Sequence, residues 1–458
     1  MRFSISCIAA LAAAFLLAAT PAPVQAATTC STPGYQVKGA AGRTYTVSRT
    51  AAASYGPNGG WKSLPGSDKV CGALLHRNLR LPKASAQLTI PIYESNISDT
   101  AAVERIVIGS QAKGRDAWAY WTSLNNAKRK AYADNAFIAS SKQIAIIVPQ
   151  FFNPKDRMDG AASETDLIFH SSSWADGMNG INPKKLGAEA VSSFDVIDAI
   201  VEYASRKYPN AKRIVFGGHS MGAQFVHRYA TLRRDGGRDI HFAPMNPGSW
   251  LYTNHSRINW NGKAKCPAYD DYKYGISQRI GAAILPPYAA ADITRLGRAG
   301  LTTRIADRRL HLLVGQRDNS AGDYSCEAFS QGASHRERGQ TYLQSVLQSL
   351  PASNAALKQA GGARVLSSSK GPGQAGVPAK WTWDVVPGCS HQNDCMFTSA
   401  AGQKRLFLDG FPRTTATGGK REVDDDKEED PEAEAAAAAV RRARPHAHAH
   451  VRVVHQDS

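Results

Sequence analysis

The stretch from Arg213 to Leu232 constrains the fold of this chain more than any other part of its sequence. It begins with Arg213-Ile-Val-Phe216, which is typical of a buried strand, and the segment from about Met221 to Leu232 is predicted to be a helix. Between them stands Gly218-His-Ser-Met-Gly222, so the chain turns from strand to helix within a few residues. Glycines on both sides permit the strained turn that would expose Ser220 above the end of the strand.

Strand and helix patterns alternate along much of the chain. Such alternation predicts an α/β fold with a mostly parallel central sheet and helices on both faces. Ligands of such sheets bind beyond the carboxyl ends of the strands, so residues that directly follow a strand are candidates for chemistry. Besides Arg213–Phe216, the predicted strands are Gln87–Tyr93, Glu104–Ile108, Ile144–Pro149, Ile240–Ala243, Leu310–Val314 and Trp381–Val386.

Composition divides the chain into four regions. Residues 1–26 combine an early positive charge, a short apolar run and small residues up to Ala26, which predicts a secretory signal peptide. Residues 27–85, rich in Gly, Ser, Thr and Ala, are interpreted as an N-terminal extension of the main domain at 86–418. Residues 419–458 contain charged, alanine-rich and histidine-rich runs that cannot build a core, so a disordered tail is predicted.

An insertion of about 247–308 separates two predicted strands of the main domain. It is much longer than a simple connection between strands requires. We therefore expect a cap over the site at the sheet edge. The aromatic residues that favour this interpretation are Trp250, Tyr252, Trp260, Tyr269, Tyr272 and Tyr274.

The cysteines indicate an exported protein. Cys7 lies in the predicted signal peptide, and the other six form an even set, which is typical of disulfides in an extracellular chain. The sequence itself does not choose among the possible pairings. Proximity along the chain favours Cys30 with Cys71, Cys266 with Cys326, and Cys389 with Cys395.

Surface features narrow the classes of partner. The 55 basic residues outnumber the 38 acidic ones, which favours either an ordinary solvated surface or attraction to acidic polymers and anionic surfaces. No nucleic-acid motif accompanies this charge, and no segment after residue 26 is long and apolar enough for a membrane span. The sequons at Asn96 and Asn254 are glycosylation candidates if the host is eukaryotic.

A serine hydroxyl needs a base and an orienting acid to become a nucleophile. In an α/β fold with this serine turn, the expected chain order is serine, acid, histidine, with both partners after later strands. His391 follows the last predicted strand, and Asp318 follows the strand before it. Asp323 and Asp394 are weaker alternatives for the acid, because neither follows a strand so directly. The alternative for Ser220 is a structural serine that caps the helix.

Other segments of the main domain carry a specific resemblance. They include Gly114-Arg-Asp-Ala-Trp-Ala-Tyr-Trp121, Val148-Pro-Gln-Phe-Phe152 and Asn246-Pro-Gly-Ser-Trp-Leu-Tyr252. From about residue 87 to 412 the chain resembles a family of α/β hydrolases, widespread in bacteria and fungi, that is recognised more by fold and triad than by a defined substrate. The resemblance implies that the nucleophile, acid and base positions are taken by Ser220, Asp318 and His391.

An oxyanion hole would complete such a site. The backbone N–H of Met221, at the start of the helix, is the first predicted donor. The family usually has His-Gly before its second donor, whereas this chain has Gln111-Ala112 there, and the resemblance then implies the N–H of Lys113. Loss of that glycine can alter the path of the loop. One missing donor costs about 100- to 1000-fold in rate.

These features predict a secreted serine hydrolase that needs no metal or organic cofactor. Hydrolysis of carboxylic esters, small or polymeric, is the first interpretation. Amide or peptide hydrolysis by the same triad remains open, as does a secreted binding protein that keeps the fold without catalysis.

Overall fold

The computed structural model describes residues 30–32, 34–81, 88–138, 140–182, 190–258, 260–262, 265–277, 284–350, 378 and 380–411. The predicted signal peptide at 1–26 and the predicted disordered tail at 419–458 lie outside these residues. Within the described ranges, no helix combines the length and the apolarity that crossing a membrane requires.

Eight strands form one central sheet. They are β3 (Ala73–Arg80), β4 (Thr89–Ser95), β5 (Arg105–Ser110), β6 (Ile144–Pro149), β7 (Arg213–His219), β8 (Ile240–Met245), β9 (Arg309–Gly315) and β10 (Trp381–Val386). Their order across the sheet is β10-β9-β8-β7-β5-β6-β4-β3. Strands β5 to β10 run parallel, whereas β4 and β3 are antiparallel at one edge. The predicted mostly parallel α/β sheet is confirmed.

Helices cover both faces of this sheet. They are α1 (Ala117–Asp134), α2 (Pro154–Met158), α3 (Ser193–Lys207), α4 (Met221–Leu232), α5 (Ala290–Asp307), α6 (Cys326–Phe329), α7 (His335–Ser349), α8 (Asn393–Thr398) and α9 (Ala400–Gln403). On β5, Ile106 and Ile108 pack in an apolar layer with α3 and α4, while Val107 packs in the opposite layer with α1. Burial on both faces explains why β5, β6 and β8 read as continuous apolar runs.

The N-terminal extension shares the central sheet. Its strand β3 pairs antiparallel with β4, so the predicted boundary near residue 86 falls inside the sheet rather than between two units. Two shorter strands, β1 (Tyr35–Lys38) and β2 (Thr44–Val47), form a hairpin beside α1. Between them, Arg43 donates to the carbonyl oxygens of Tyr132 and Ile138 at the end of α1, which fastens the hairpin to the domain.

Part of the insertion predicted as a cap belongs to the core. Trp250 and Tyr252 are fully buried, and both pack against Tyr342 of α7, with ring centroids 4.7 and 5.3 Å away. At its other end, α5 packs against α4. The apolar rings that predicted a cap therefore serve, at these two positions, to fill the layer between α4 and α7.

The three predicted disulfide pairs are confirmed. Their Cα–Cα distances are 5.4, 5.8 and 5.7 Å for Cys30–Cys71, Cys266–Cys326 and Cys389–Cys395 respectively. The second bridge ties the insertion to the start of α6, and the third closes a short loop after β10.

The two sequons differ in their surroundings. Asn96 is exposed at the end of β4. The side-chain amide of Asn254 instead donates to the carbonyl oxygen of Ser345 at 3.2 Å and to the hydroxyl of Ser349 at 2.6 Å. A glycan on Asn254 would have to replace these bonds, so Asn96 is the better of the two candidate acceptors.

Candidate active site

The turn between β7 and α4 places Ser220 at the carboxyl end of the sheet. Its backbone has φ 58° and ψ −122°, a conformation that costs a non-glycine residue free energy. Crowding on both sides demands glycine: a Cβ at Gly218 would lie 2.7 Å from the carbonyl group of Gly222, and one at Gly222 would lie 2.5 Å from the carbonyl oxygen of Gln111. The close packing around Gly218 and Gly222 thus holds the backbone of Ser220 in a strained conformation and leaves it no room to relax.

The three residues predicted as a triad form one chain of hydrogen bonds. The hydroxyl of Ser220 donates to Nε2 of His391 at 2.9 Å, and Nδ1–H of His391 donates to Oδ2 of Asp318 at 2.7 Å. The side chain of Asp318 is 1% exposed and that of His391 is 28% exposed. Asp318 is therefore shielded from water while His391 remains open to solvent.

Asp323 and Asp394, the alternative acids, bind elsewhere. Asp323 accepts from the hydroxyl of Tyr274 and from the backbone N–H of Ser325, both at 2.9 Å. Asp394 accepts from the hydroxyl of Ser123 on α1. Among the described residues, the carboxylate bonded to His391 is that of Asp318.

Asn246, which begins one of the segments that carry the resemblance but received no predicted role, joins the loop of Asp318 to that of His391. It follows β8 with a φ of 51°. Its Oδ1 accepts from the N–H of Gly315 at the end of β9, at 2.6 Å, and its Nδ2 donates to the carbonyl oxygen of Ser390 at 3.0 Å. The neighbouring Cys389–Cys395 bridge closes the segment that carries His391. Together these links limit how far His391 can move from Asp318.

The carboxylate of Asp318 has further donors. Nδ1 of His335 lies 3.1 Å from Oδ1, and the hydroxyl of Ser320 lies 3.2 Å from the same oxygen. Burial alone would raise the pKa of Asp318, but the hydrogen bonds from His335 and His391 outweigh it and leave the pKa well below its ordinary value. Asp318 is therefore an ionised acceptor. His335 begins a helix instead of following a strand, which is why strand-end reasoning missed it.

A third histidine, His219, lies beside the site. It is 3% exposed, and neither ring nitrogen has a hydrogen-bond partner among the described residues. Burial, and then the proximity of His391, lower the pKa of His219 to about 3, so it stays neutral. Its ring centroid lies 4.6 Å from that of His391. His219 therefore packs beside His391 as an uncharged ring and does not act as a proton acceptor.

The loop after β5 is anchored despite the absence of the expected glycine. Gln111 is fully buried, and its side-chain amide forms two bonds with the backbone of Phe151: Nε2 donates to the carbonyl oxygen at 3.0 Å, and Oε1 accepts from N–H at 3.1 Å. Further along, Trp61 Nε1 donates to the carbonyl oxygen of Gly114 at 3.0 Å, and Gln150 Nε2 to that of Arg115 at 2.8 Å. The path of this loop is fixed by the side chain of its own Gln111 and by side chains from two other segments.

The two predicted oxyanion donors lie on neighbouring segments. Met221 is the first residue of α4. Lys113 is exposed in the turn between β5 and α1, two residues beyond Gln111, whose backbone touches the start of α4 at Gly222. The loop and the helix therefore meet beside Ser220.

Two groups of side chains in the described part of the chain have the composition of metal ligands. Asp318, His335 and His391 offer ligand atoms within 4.8 Å of one another, but these atoms are engaged in mutual hydrogen bonds. In the second group, the sulfur atoms of Cys266 and Cys326 are joined in a disulfide beside Glu327. In both groups the candidate ligand atoms are thus already paired within the protein.

The serine on a strained turn between β7 and α4, and the order serine, acid, histidine after successive strands of a mostly parallel sheet, are features of one fold. The chain has the α/β-hydrolase fold. No protein-family model matches it, and no curated protein matches it either.

Solved structures with the α/β-hydrolase fold are similar to the chain at low sequence identity. Poly(aspartic acid) hydrolase-1 from Sphingomonas sp. KT-1 is 18% identical, over 75% of this chain and 99% of that one, with a TM-score of 0.45. LpqC, a poly(3-hydroxybutyrate) depolymerase from Bordetella parapertussis, is 15% identical over 70% and 85%, with a TM-score of 0.42. The siderophore hydrolase EstB from Aspergillus nidulans is 11% identical over 73% and 94%, with a TM-score of 0.36.

Proposed function

We propose that this protein is a serine hydrolase of carboxylic esters, with Ser220 as nucleophile, His391 as general base and Asp318 as orienting acid. The proposal depends above all on the unbroken hydrogen-bond chain through these three side chains. A hydroxyl becomes a strong nucleophile only when a base accepts its proton, and Nε2 of His391 lies within reach of that proton. The strained backbone of Ser220 supports the same role, because such strain is concentrated at functional sites.

The reaction would proceed in two halves. Ser220 Oγ attacks the ester carbonyl carbon while its proton passes to Nε2 of His391, and the imidazolium then gives this proton to the departing alkoxide. An alcohol leaves and an acyl–Ser220 ester remains. Water attacks that ester while His391 accepts a proton from the water; the proton returns to Ser220 as the carboxylic acid departs. Throughout, Asp318 accepts from Nδ1–H and stabilises the imidazolium.

We assign the oxyanion to the backbone N–H groups of Met221 and Lys113. The N–H of Met221 opens α4, so it has no acceptor within the helix and the helix dipole favours negative charge beside it. The anchoring of the loop through Gln111 supports Lys113 as the second donor. A fixed donor costs no reorganisation when the oxyanion forms, which is the source of its catalytic effect.

Ester substrates are proposed ahead of amides. An alkoxide leaves a tetrahedral intermediate more readily than an amine, which His391 would have to protonate before it departs. The same triad could serve both classes, so matched ester and amide pairs are the direct way to separate them. An ester-to-amide preference is expected.

The experiment is covalent labelling with a fluorophosphonate, which reacts with activated serines. The natural protein is expected to be labelled and to hydrolyse a panel of esters, and Ser220→Ala to do neither. Ser205→Ala is the matched control, because the hydroxyl of Ser205 on α3 has no hydrogen-bond partner among the described residues. Labelling that persists in Ser220→Ala would assign the nucleophile elsewhere. A natural protein that is neither labelled nor active would favour a binding protein.

We also propose that the protein acts outside the cell. Three cysteine pairs at disulfide distance support this, because disulfides persist in oxidising compartments. The mass of the protein recovered from the medium should correspond to a chain without residues 1–26 and with all six cysteines oxidised. Retention of the full-length chain inside the cell would contradict export.

A further inference from the structure

The proposed reaction uses only one oxygen of Asp318, and the other oxygen has a histidine of its own. Oδ2 accepts from His391 at 2.7 Å, whereas Oδ1 accepts from Nδ1 of His335 at 3.1 Å. The side chains of Asp318 and His335 are 1% and 3% exposed. The buried carboxylate is thus held by two imidazoles, one per oxygen. The proposed proton transfer between Ser220 and His391 requires only one of them.

The position of His335 is determined from all sides. It is the first residue of α7, where Ser334 caps the helix. The backbone N–H groups of His335 and Arg336 donate to the carbonyl oxygens of Ser320 and Asp318, at 3.0 and 3.2 Å, so the start of α7 holds the loop of the acid. A Cβ at Gly322, where φ is +61°, would lie 2.4 Å from the His335 ring. The His335 ring therefore occupies a space beside Gly322 that any larger residue at position 322 would close.

His335 also touches the base directly. Its ring centroid lies 4.1 Å from that of His391, with 22° between the ring planes. Two positive rings at this distance would repel each other, and the start of a helix disfavours a positive side chain. Nearby in the described part of the chain, burial keeps His219 neutral, and the guanidinium of Arg338 donates to the carbonyl oxygens of Ala321 and Asp323 in the acid loop. A positive charge on His335 would therefore oppose the charge that His391 acquires in the proposed reaction.

We propose that His335 is a positioning residue: its Nδ1–H fixes the plane of the Asp318 carboxylate so that Oδ2 meets Nδ1 of His391, and its ring supports one face of the His391 ring. This inference rests on the proposed function. Without this donor, Oδ1 keeps only the hydrogen bond from the Ser320 hydroxyl at 3.2 Å, so the Asp318 carboxylate is held less firmly in its plane. The His391 ring then loses alignment with Ser220, which lowers the rate of the chemical step more than substrate binding.

The test uses two substitutions that separate the donor from the ring. His335→Phe keeps an aromatic ring in the space beside Gly322 but removes the hydrogen-bond donor, whereas His335→Gln keeps an N–H donor. We expect His335→Phe to lose about 10- to 100-fold in kcat, the range that corresponds to one hydrogen bond to a charged group. Its KM should change little. His335→Gln should recover most of kcat.

Three results would overturn the inference. Unchanged kcat in His335→Phe would show that Oδ1 needs no imidazole. Equal losses of kcat in both variants, with or without a matching fall in the melting temperature, would assign His335 to packing alone. If the natural protein is neither labelled by the fluorophosphonate nor active, the proposed function fails and this inference fails with it. If the natural protein is active and His335→Phe has the same kcat, only this inference fails and the proposed function stands.

Discussion

Two pairs of stacked histidines lie at opposite ends of the central sheet, and they differ in what they touch. At the carboxyl ends of the strands, His391 and His335 both donate to Asp318. Near the amino ends of β8 and β9, Nδ1 of His241 and Nε2 of His311 bond to each other at 2.9 Å. The ring planes meet at 22° in both pairs. Stacking alone therefore does not distinguish a reactive histidine from a structural one.

The charges around the two pairs account for the difference. Burial lowers the pKa of His311 to about 3 and that of His241 further, and Arg213 adds repulsion to both. We call His241 and His311 the core pair. A proton on either residue would meet positive charge in a buried environment of low dielectric constant. A proton on His391 instead meets the ionised carboxylate of Asp318. His311 also bonds a hydroxyl, that of Thr382 at 3.0 Å, so access to a hydroxyl does not separate the two pairs. The comparison teaches that a direct bond to a buried, ionised carboxylate is what makes one pair able to carry charge.

The largest expected effect comes from making the same substitution in each pair. His391→Gln should lower kcat by about 10⁶-fold, because the nucleophile loses its base and the triad acts as a unit. His311→Gln should leave kcat near that of the natural protein, because His311 lies at the other end of β9 from Asp318. Ester turnover at pH 8, with folding checked by circular dichroism, measures both.

The double variant Ser220→Ala with His391→Gln sharpens this test. Because the two residues act together, it should lose little more activity than either single variant. Additive losses, or high activity in His391→Gln, would mean that another residue serves as the base. A large loss of kcat in folded His311→Gln would remove the contrast between the two pairs.

Much of this architecture could be predicted because the signals are local. Strands β4 to β10 are short apolar runs, and Asp318 and His391 directly follow two of them. Strand β3 gave no such signal. It is an edge strand with mostly partly buried or exposed residues, and its register with β4 shifts between His76 and Leu79. An edge strand with one exposed side lacks the continuous apolar run of a central strand.

The residues that support the triad could not be predicted in this way. His335 approaches Asp318 because α7 packs back over the end of β9, and Asn246 reaches both the acid and histidine loops from a third strand end. Trp250 and Tyr252 have the composition of a cap but pack into the core on Tyr342. In each case the partner lies far away along the chain, so tertiary packing rather than local pattern decides the role.

A smaller effect concerns the pH dependence of stability. The folded protein keeps His311 neutral down to pH about 3, whereas the unfolded chain takes up that proton near the ordinary pKa of 6.5. Between these values the unfolded state binds more protons, so the free energy of unfolding falls as the pH falls. Each such histidine contributes a slope of about 1.4 kcal/mol per pH unit.

Replacing a histidine of the core pair should therefore flatten the acid side of the stability profile. Urea unfolding of His311→Gln between pH 7 and pH 4 is expected to show a free energy of unfolding that declines less steeply than in the natural protein, by about 1.4 kcal/mol per pH unit. Exposed His170 supplies the matched control, and His170→Gln should leave the decline unchanged. If the free energy of unfolding of His311→Gln declines as steeply as that of the natural protein, the fold does not hold the core pair neutral. The contrast with His335 and His391 must then come from geometry instead of charge.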